Sequence, residues 1–168
     1  YHPVMACELE FYLLDQKRDA QGRPQPALDA DGGRPRQTQV YGLRELEQIE
    51  PFLRDLYMAC KAQGIPARTA ISEYAPGQVE ITLEHGPALA AMDQAVRYKR
   101  LVKGVAHAHG MQACFMAKPF AEIAGTGMHM HVSLADAQGN NLFASEDPAG
   151  TPLLRHAVGG MLASLLDS

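Results

Sequence analysis

The chain has 168 residues, a formal net charge of −4 and 46% hydrophobic residues, enough material for a buried core. Its charged residues form no basic stripe able to neutralise a nucleic-acid backbone, and no apolar run approaches the length of a membrane span, so neither nucleic acid nor membrane is expected as a partner. Cys7, Cys60 and Cys114 are too scattered for a CxxC metal site or a disulfide framework, which points to a reduced, cytoplasmic protein acting on small molecules.

Tyr1 opens the chain with neither an initiator methionine nor a signal-peptide pattern, and the expectation is a segment of a longer protein. Val4 to Leu14 alternates as a strand: Met5, Cys7, Leu9, Phe11 and Leu13 are expected to face a core, and Ala6, Glu8, Glu10 and Tyr12 the other side. From residue 15 to about 40 the chain turns rich in Gly, Pro, Gln and Asp, a surface excursion expected to be the most mobile part, with a turn at Asp31-Gly32-Gly33. Leu43, Leu46, Leu53, Leu56, Tyr57 and Cys60 follow helical spacing. Pro51 either starts a second helix or kinks the first, and Gly64 supplies a stop.

Thr69 to Leu83 reads as a hairpin around Ala75-Pro76-Gly77. Its second arm puts Val79, Ile81 and Leu83 on one face and Gln78, Glu80 and Thr82 on the other, with Glu73 near the turn on the first arm. Pro87 to His109 reads as a helix with Leu89, Met92, Val96, Val102 and Val105 as its apolar positions and Gly110 just past its end. A short strand over Met111 to Ala117 and a glycine-containing loop over Pro119 to Gly127 come next. Met128, Met130, Val132 and Leu134 then alternate against His129, His131 and Ser133 in another strand. The last element is a helix over Thr151 to Ser168 whose apolar Leu154, Ala157, Val158, Met161, Leu162 and Leu165 require a partner surface. Strands joined by short connections, with helices between them, predict an α+β fold: an antiparallel or mixed sheet with helices packed on one face.

Three strands thus carry acidic or imidazole groups opposite their apolar residues: Glu8 and Glu10, then Glu80 with nearby Glu73, then His129 and His131. Glu8 and Glu10 taken alone read as a solvated strand face, and a lone HxH pair is equally a surface feature. Gathered on one sheet face, however, four carboxylates repel one another unless divalent cations neutralise them. Oxygen-rich ligands with an imidazole suit magnesium or manganese. A zinc hydrolase built on the HxH pair is the poorer reading, because His85, His107, His109 and His156 share no strand face with it.

Lys118-Pro119-Phe120 followed by Ala124-Gly125-Thr126-Gly127-Met128-His129-Met130-His131-Val132-Ser133 resembles the ATP-binding signature of the glutamine synthetase family. Glu8-Leu9-Glu10-Phe11 resembles the family's first metal-binding strand, and Glu73 with Gln78-Val79-Glu80-Ile81 its second, in the family's order. The resemblance implies that the whole chain is part of the catalytic domain of a ligase joining the γ-carboxyl of glutamate to an amine through γ-glutamyl phosphate. It implies two Mg2+ or Mn2+ sites, Glu10, Glu73 and Glu80 holding one cation and Glu8 and His129 the other. It further implies that ATP, as co-substrate, meets His131, Ser133 and His85, and that Glu10 and Gly125 line the glutamate pocket.

Ala124, where ammonia-using members commonly have asparagine, and Ser72, where a histidine is often seen, lean towards the branch that uses organic amines. Phe115-Met116-Ala117-Lys118-Pro119-Phe120 resembles enzymes that glutamylate putrescine or polyamines. The family's N-terminal β-domain, its later acidic ligand and arginines and its closing-loop glutamate have no counterpart among these residues, so no catalytic residue is assigned and the chain alone is expected to be inactive. The resemblance implies a homo-oligomeric ring for the full-length parent. A catalytically silent scaffold on the same fold is the alternative.

Overall fold

The computed structural model describes residues 1–37 and 39–165. Thr38 in the excursion and the last three positions of the predicted final helix lie outside the described residues. In chain order the elements are β1 (His2–Asp15), α1 (Leu43–Glu47), α2 (Glu50–Ala62), β2 (Ala67–Ser72), β3 (Gln78–Leu83), β4 (Gly86–Pro87), α3 (Ala88–Ala108), β5 (Met111–Cys114), β6 (Met128–Ala135) and α4 (Pro152–Ser164). The fold is α+β, and every strand pair is antiparallel.

β1 organises the sheet. Its first half pairs with β6, from His2 opposite Ala135 to Leu9 opposite Met128, and its end pairs with β5, from Tyr12 opposite Cys114 to Asp15 opposite Met111. Glu8 and Leu9 pair with β3 and β6 together, and Tyr12 with β3 and β5, so β5 and β6 share one edge of β1 and β3 occupies the other. The hairpin turn holds because Gly77 takes φ +76°, a conformation glycine adopts freely, beneath the Leu13 carbonyl.

One face of this sheet is dry. Cys7, Leu9, Phe11, Leu13, Val79, Ile81 and Leu83 pack against Phe52, Leu53, Leu56 and Cys60 of α2 and Tyr98, Val102 and Ala106 of α3. Pro51 starts α2 rather than kinking its predecessor. The buried stripe of α3 differs from the expected one: Leu89 and Val96 are exposed, and Ala91, Ala95, Tyr98, Val102 and Ala106 face the sheet. Small alanines allow the helix to approach closely, so the contact face is set by shape as much as by hydropathy.

Two features add to the expected strand faces. Met128, Met130 and Val132 of β6 lie on the core side of the sheet, opposite Leu9, Cys7 and Met5, yet remain exposed because no described helix reaches that edge. Tyr12, on the polar side, is fully buried, forming a second small cluster with Leu14, Ala75 and the loop residues Phe120, Ile123 and Ala124. The excursion is tied back to β1: Ala27 is buried, its amide donates to the Leu13 carbonyl at 2.9 Å, and Arg34 bonds the Asp15 carboxylate at 2.6 Å. α4 has no buried residue. No helix among the described residues is long and apolar enough to cross a membrane.

Candidate metal centre

The polar face of β1 carries Glu8 and Glu10 because a strand sends alternate side chains to one side. Its neighbours supply the rest in register: His129 on β6 stands directly opposite Glu8, and Glu80 on β3 directly opposite Glu10. Glu73 follows the end of β2, where its amide donates to the Gln78 carbonyl at 3.1 Å and closes the hairpin. Glu8, Glu10, Glu73, Glu80, His129 and Gly125 all line one open cleft of about 390 Å³. Glu8, Glu80 and His129 offer ligand atoms that lie within 4.8 Å of one another. That tight group takes Glu80 from one of the two ligand sets implied by the resemblance and Glu8 and His129 from the other.

The electrostatics are those of crowded acids. Burial first, then the charges of Glu8, Glu73 and Glu10, push the Glu80 carboxyl up to about 7, against a smaller opposing pull from His129. Burial and the Glu10 charge likewise raise Glu73, partly offset by the Tyr74 amide and His129. Such a group holds protons that a divalent cation would replace. His129 Nδ1 lies 3.4 Å from one Glu8 oxygen and His131 Nε2 3.0 Å from the other, so both rings crowd one carboxylate. The donor set, oxygens with an imidazole nitrogen, fits magnesium or manganese.

Backbone positions at the cleft leave no spare room. A Cβ on Gly127 would fall 2.8 Å from Glu10 Oε1 and 3.1 Å from His129 Nε2, and one on Gly125 would fall 2.7 Å from the Ala117 carbonyl oxygen. The loop is pinned from beneath, where Tyr12 donates its hydroxyl hydrogen to the Ala124 carbonyl at 2.6 Å.

Three side chains not singled out by the sequence reading belong here. Gln78, buried, donates through Nε2 to Glu10 Oε2 and to the Gly125 carbonyl, both at 2.8 Å. Its period-2 position beside Glu80 was the available signal. Tyr41 and Tyr74 stand exposed at the rim of the cleft. Tyr41 reaches it through a positive φ of 61°, with its amide bonded to the Ser72 carbonyl at 2.9 Å, and no residue pattern announces that turn.

His85, His131 and Ser133 do not line the acidic cleft. They share a second one of about 270 Å³ with Val4, Met5, Ala6 and Val132. His131 connects the two through its contact with Glu8. The structure therefore separates the expected ligand positions into an acidic compartment and an imidazole-hydroxyl compartment side by side.

Comparison with known proteins places the chain in a family. The profile of the family described as glutamine synthetase, catalytic domain, matches residues 1–168. The chain is 43% identical over 162 residues to the gamma-glutamylputrescine synthetase PuuA of Escherichia coli (strain K12), covering 95% of this chain and 34% of that protein. It is 34% identical over 163 residues to a glutamine synthetase of Thermotoga maritima, covering 96% of this chain and 35% of that one. A solved GmaS/ADP complex superposes with a TM-score of 0.78 at 28% identity, covering 98% of this chain and 36% of the other. The chain thus spans about a third of the length of the relatives it matches.

Proposed function

Because the chain belongs to the glutamine synthetase family, matched along its whole length, we propose that it carries the cation- and nucleotide-binding part of an ATP-dependent ligase that joins the γ-carboxyl of glutamate to an amine. The observation that carries this reading is the convergence of Glu8, Glu10, Glu73, Glu80 and His129 on one cleft from well-separated parts of the chain. Those five residues would hold Mg2+ or Mn2+, which when bound neutralises phosphate and γ-carboxylate charge during phosphoryl transfer. His131, Ser133 and His85 form the nucleotide side; the similarity to an ADP-bound relative supports this role. Gly125 and Glu10 line the glutamate side, with Gln78 fixing both in place.

For the acceptor we favour putrescine or a related polyamine over ammonia. The higher identity to a putrescine-using relative than to a glutamine synthetase supports it, as do Ala124 and buried Ser72 at positions that differ from the ammonia-using pattern. The full-length protein is read as a cytoplasmic homo-oligomeric ring, and the 168-residue chain alone as lacking ligase turnover.

Calorimetric titration with Mn2+ tests the site: the wild-type chain is expected to bind, and the Glu10→Ala, Glu80→Ala double variant to lose the heat signal. Binding unchanged by those substitutions would reject the ligand set. Phosphate release by the full-length enzyme with glutamate, ATP and a panel of amines tests the acceptor, and ammonia preferred over putrescine would reject that part.

A further inference from the structure

At the open edge of β5, apart from the acidic cleft, lies a second large cleft of about 890 Å³. Its charged lining is almost wholly cationic: Lys99 and Lys103 stand one helical turn apart on α3, with His107 a further turn along the same stripe, and Arg18 reaches in from the loop after β1. Phe115 forms the floor, with Lys99 Nζ 5.3 Å and Lys103 Nζ 6.0 Å from its ring centroid. Two ammonium groups held over a single ring repel each other, and the ring quadrupole offsets only part of that cost. Asp15 is the one carboxylate in the lining, and it is already engaged by Arg34 at 2.6 Å and by the Lys17 amide at 2.9 Å. Neither Lys99, Lys103 nor Arg18 forms an ion pair among the described residues.

A concave, uncompensated cationic site on a chain of net charge −4 is a local reversal of sign, and concave walls focus such a field. We propose that this cleft binds a small multivalent anion, bearing phosphate or carboxylate groups, between Lys99, Lys103 and Arg18. The site shares no lining residue with the acidic cleft and stands or falls independently of the ligase reading.

The test is calorimetric titration of this chain in EDTA with pyrophosphate in one arm and citrate in the other, which separates a phosphate ligand from a carboxylate one. Saturable binding is expected in at least one arm, weakened about tenfold or more in Lys99→Gln, Lys103→Gln, in line with the loss of charge-assisted bonds. Arg18→Ala, on a surface loop outside the core, is expected to weaken it independently. Glu10→Ala, Glu80→Ala is expected to leave it unchanged. No binding in either arm, or an affinity unaltered by the lysine and arginine substitutions, would overturn the proposal.

Discussion

Gln78 and Glu10 face one another across the hairpin edge, Nε2 to Oε2 at 2.8 Å, and the same amide nitrogen reaches the Gly125 carbonyl at 2.8 Å. Its own oxygen accepts from the Ala75 amide at 3.2 Å, so one buried side chain joins turn, strand and glycine loop. Replacing it with an apolar residue of similar length leaves those groups unsatisfied. Gln78→Met should therefore cost about 1–3 kcal/mol in urea unfolding and also weaken Mn2+ binding.

Glu80 predicts a pH dependence. Its folded carboxyl is raised from 4.5 to about 7, so between those values the native state holds a proton that the unfolded chain releases. The cation-free protein should lose stability as pH rises from about 4.5 to about 7, by up to about 3 kcal/mol if one site carried the whole shift. Thermal melting in EDTA across that window checks this. Added Mn2+ should recover the loss, and Glu80→Gln should flatten the slope.

Gly127 limits the geometry of two proposed ligands at once. In Gly127→Ala the new methyl would meet Glu10 Oε1 at 2.8 Å and His129 Nε2 at 3.1 Å, distances that force those side chains aside. Mn2+ affinity should fall about tenfold or more, while unfolding free energy changes by about 1 kcal/mol, because side-chain ends move more readily than backbone. Calorimetry and urea melts on the same variant separate the two effects.

Tyr98 is buried to 0% exposure, and its hydroxyl has no hydrogen-bond partner among the described residues. Removing that oxygen removes a desolvated polar atom and little volume. Tyr98→Phe should leave the protein as stable as before or stabilise it by about 1 kcal/mol, read as the urea midpoint.

Much of the site was legible because strands have a period of two. Glu8 with Glu10, and His129 with His131, announced a shared face before any register was known, and the register then set Glu8 against His129 and Glu10 against Glu80. What was not legible depends on shape. Leu89 and Val96 looked like core, yet the helix turns its alanines inward because closeness to the sheet outweighs side-chain size there. Tyr41 arrives through a left-handed backbone turn that its neighbours Val40 and Gly42 do not encode as a motif. The bond from Gln78 to Glu10 required knowing which rotamer fills the space under Gly125.

The pairing of β1 with β6 joins residues such as Glu8 and His129 that are more than a hundred positions apart, so this half of the sheet has no local route to closure. Assembly must wait for distant partners, and topologies of that kind fold slowly. Until then the proposed cation ligands Glu8 and His129 are not yet brought together. A divalent cation added during refolding should therefore register only the late, completed species, making it a kinetic reporter of sheet closure.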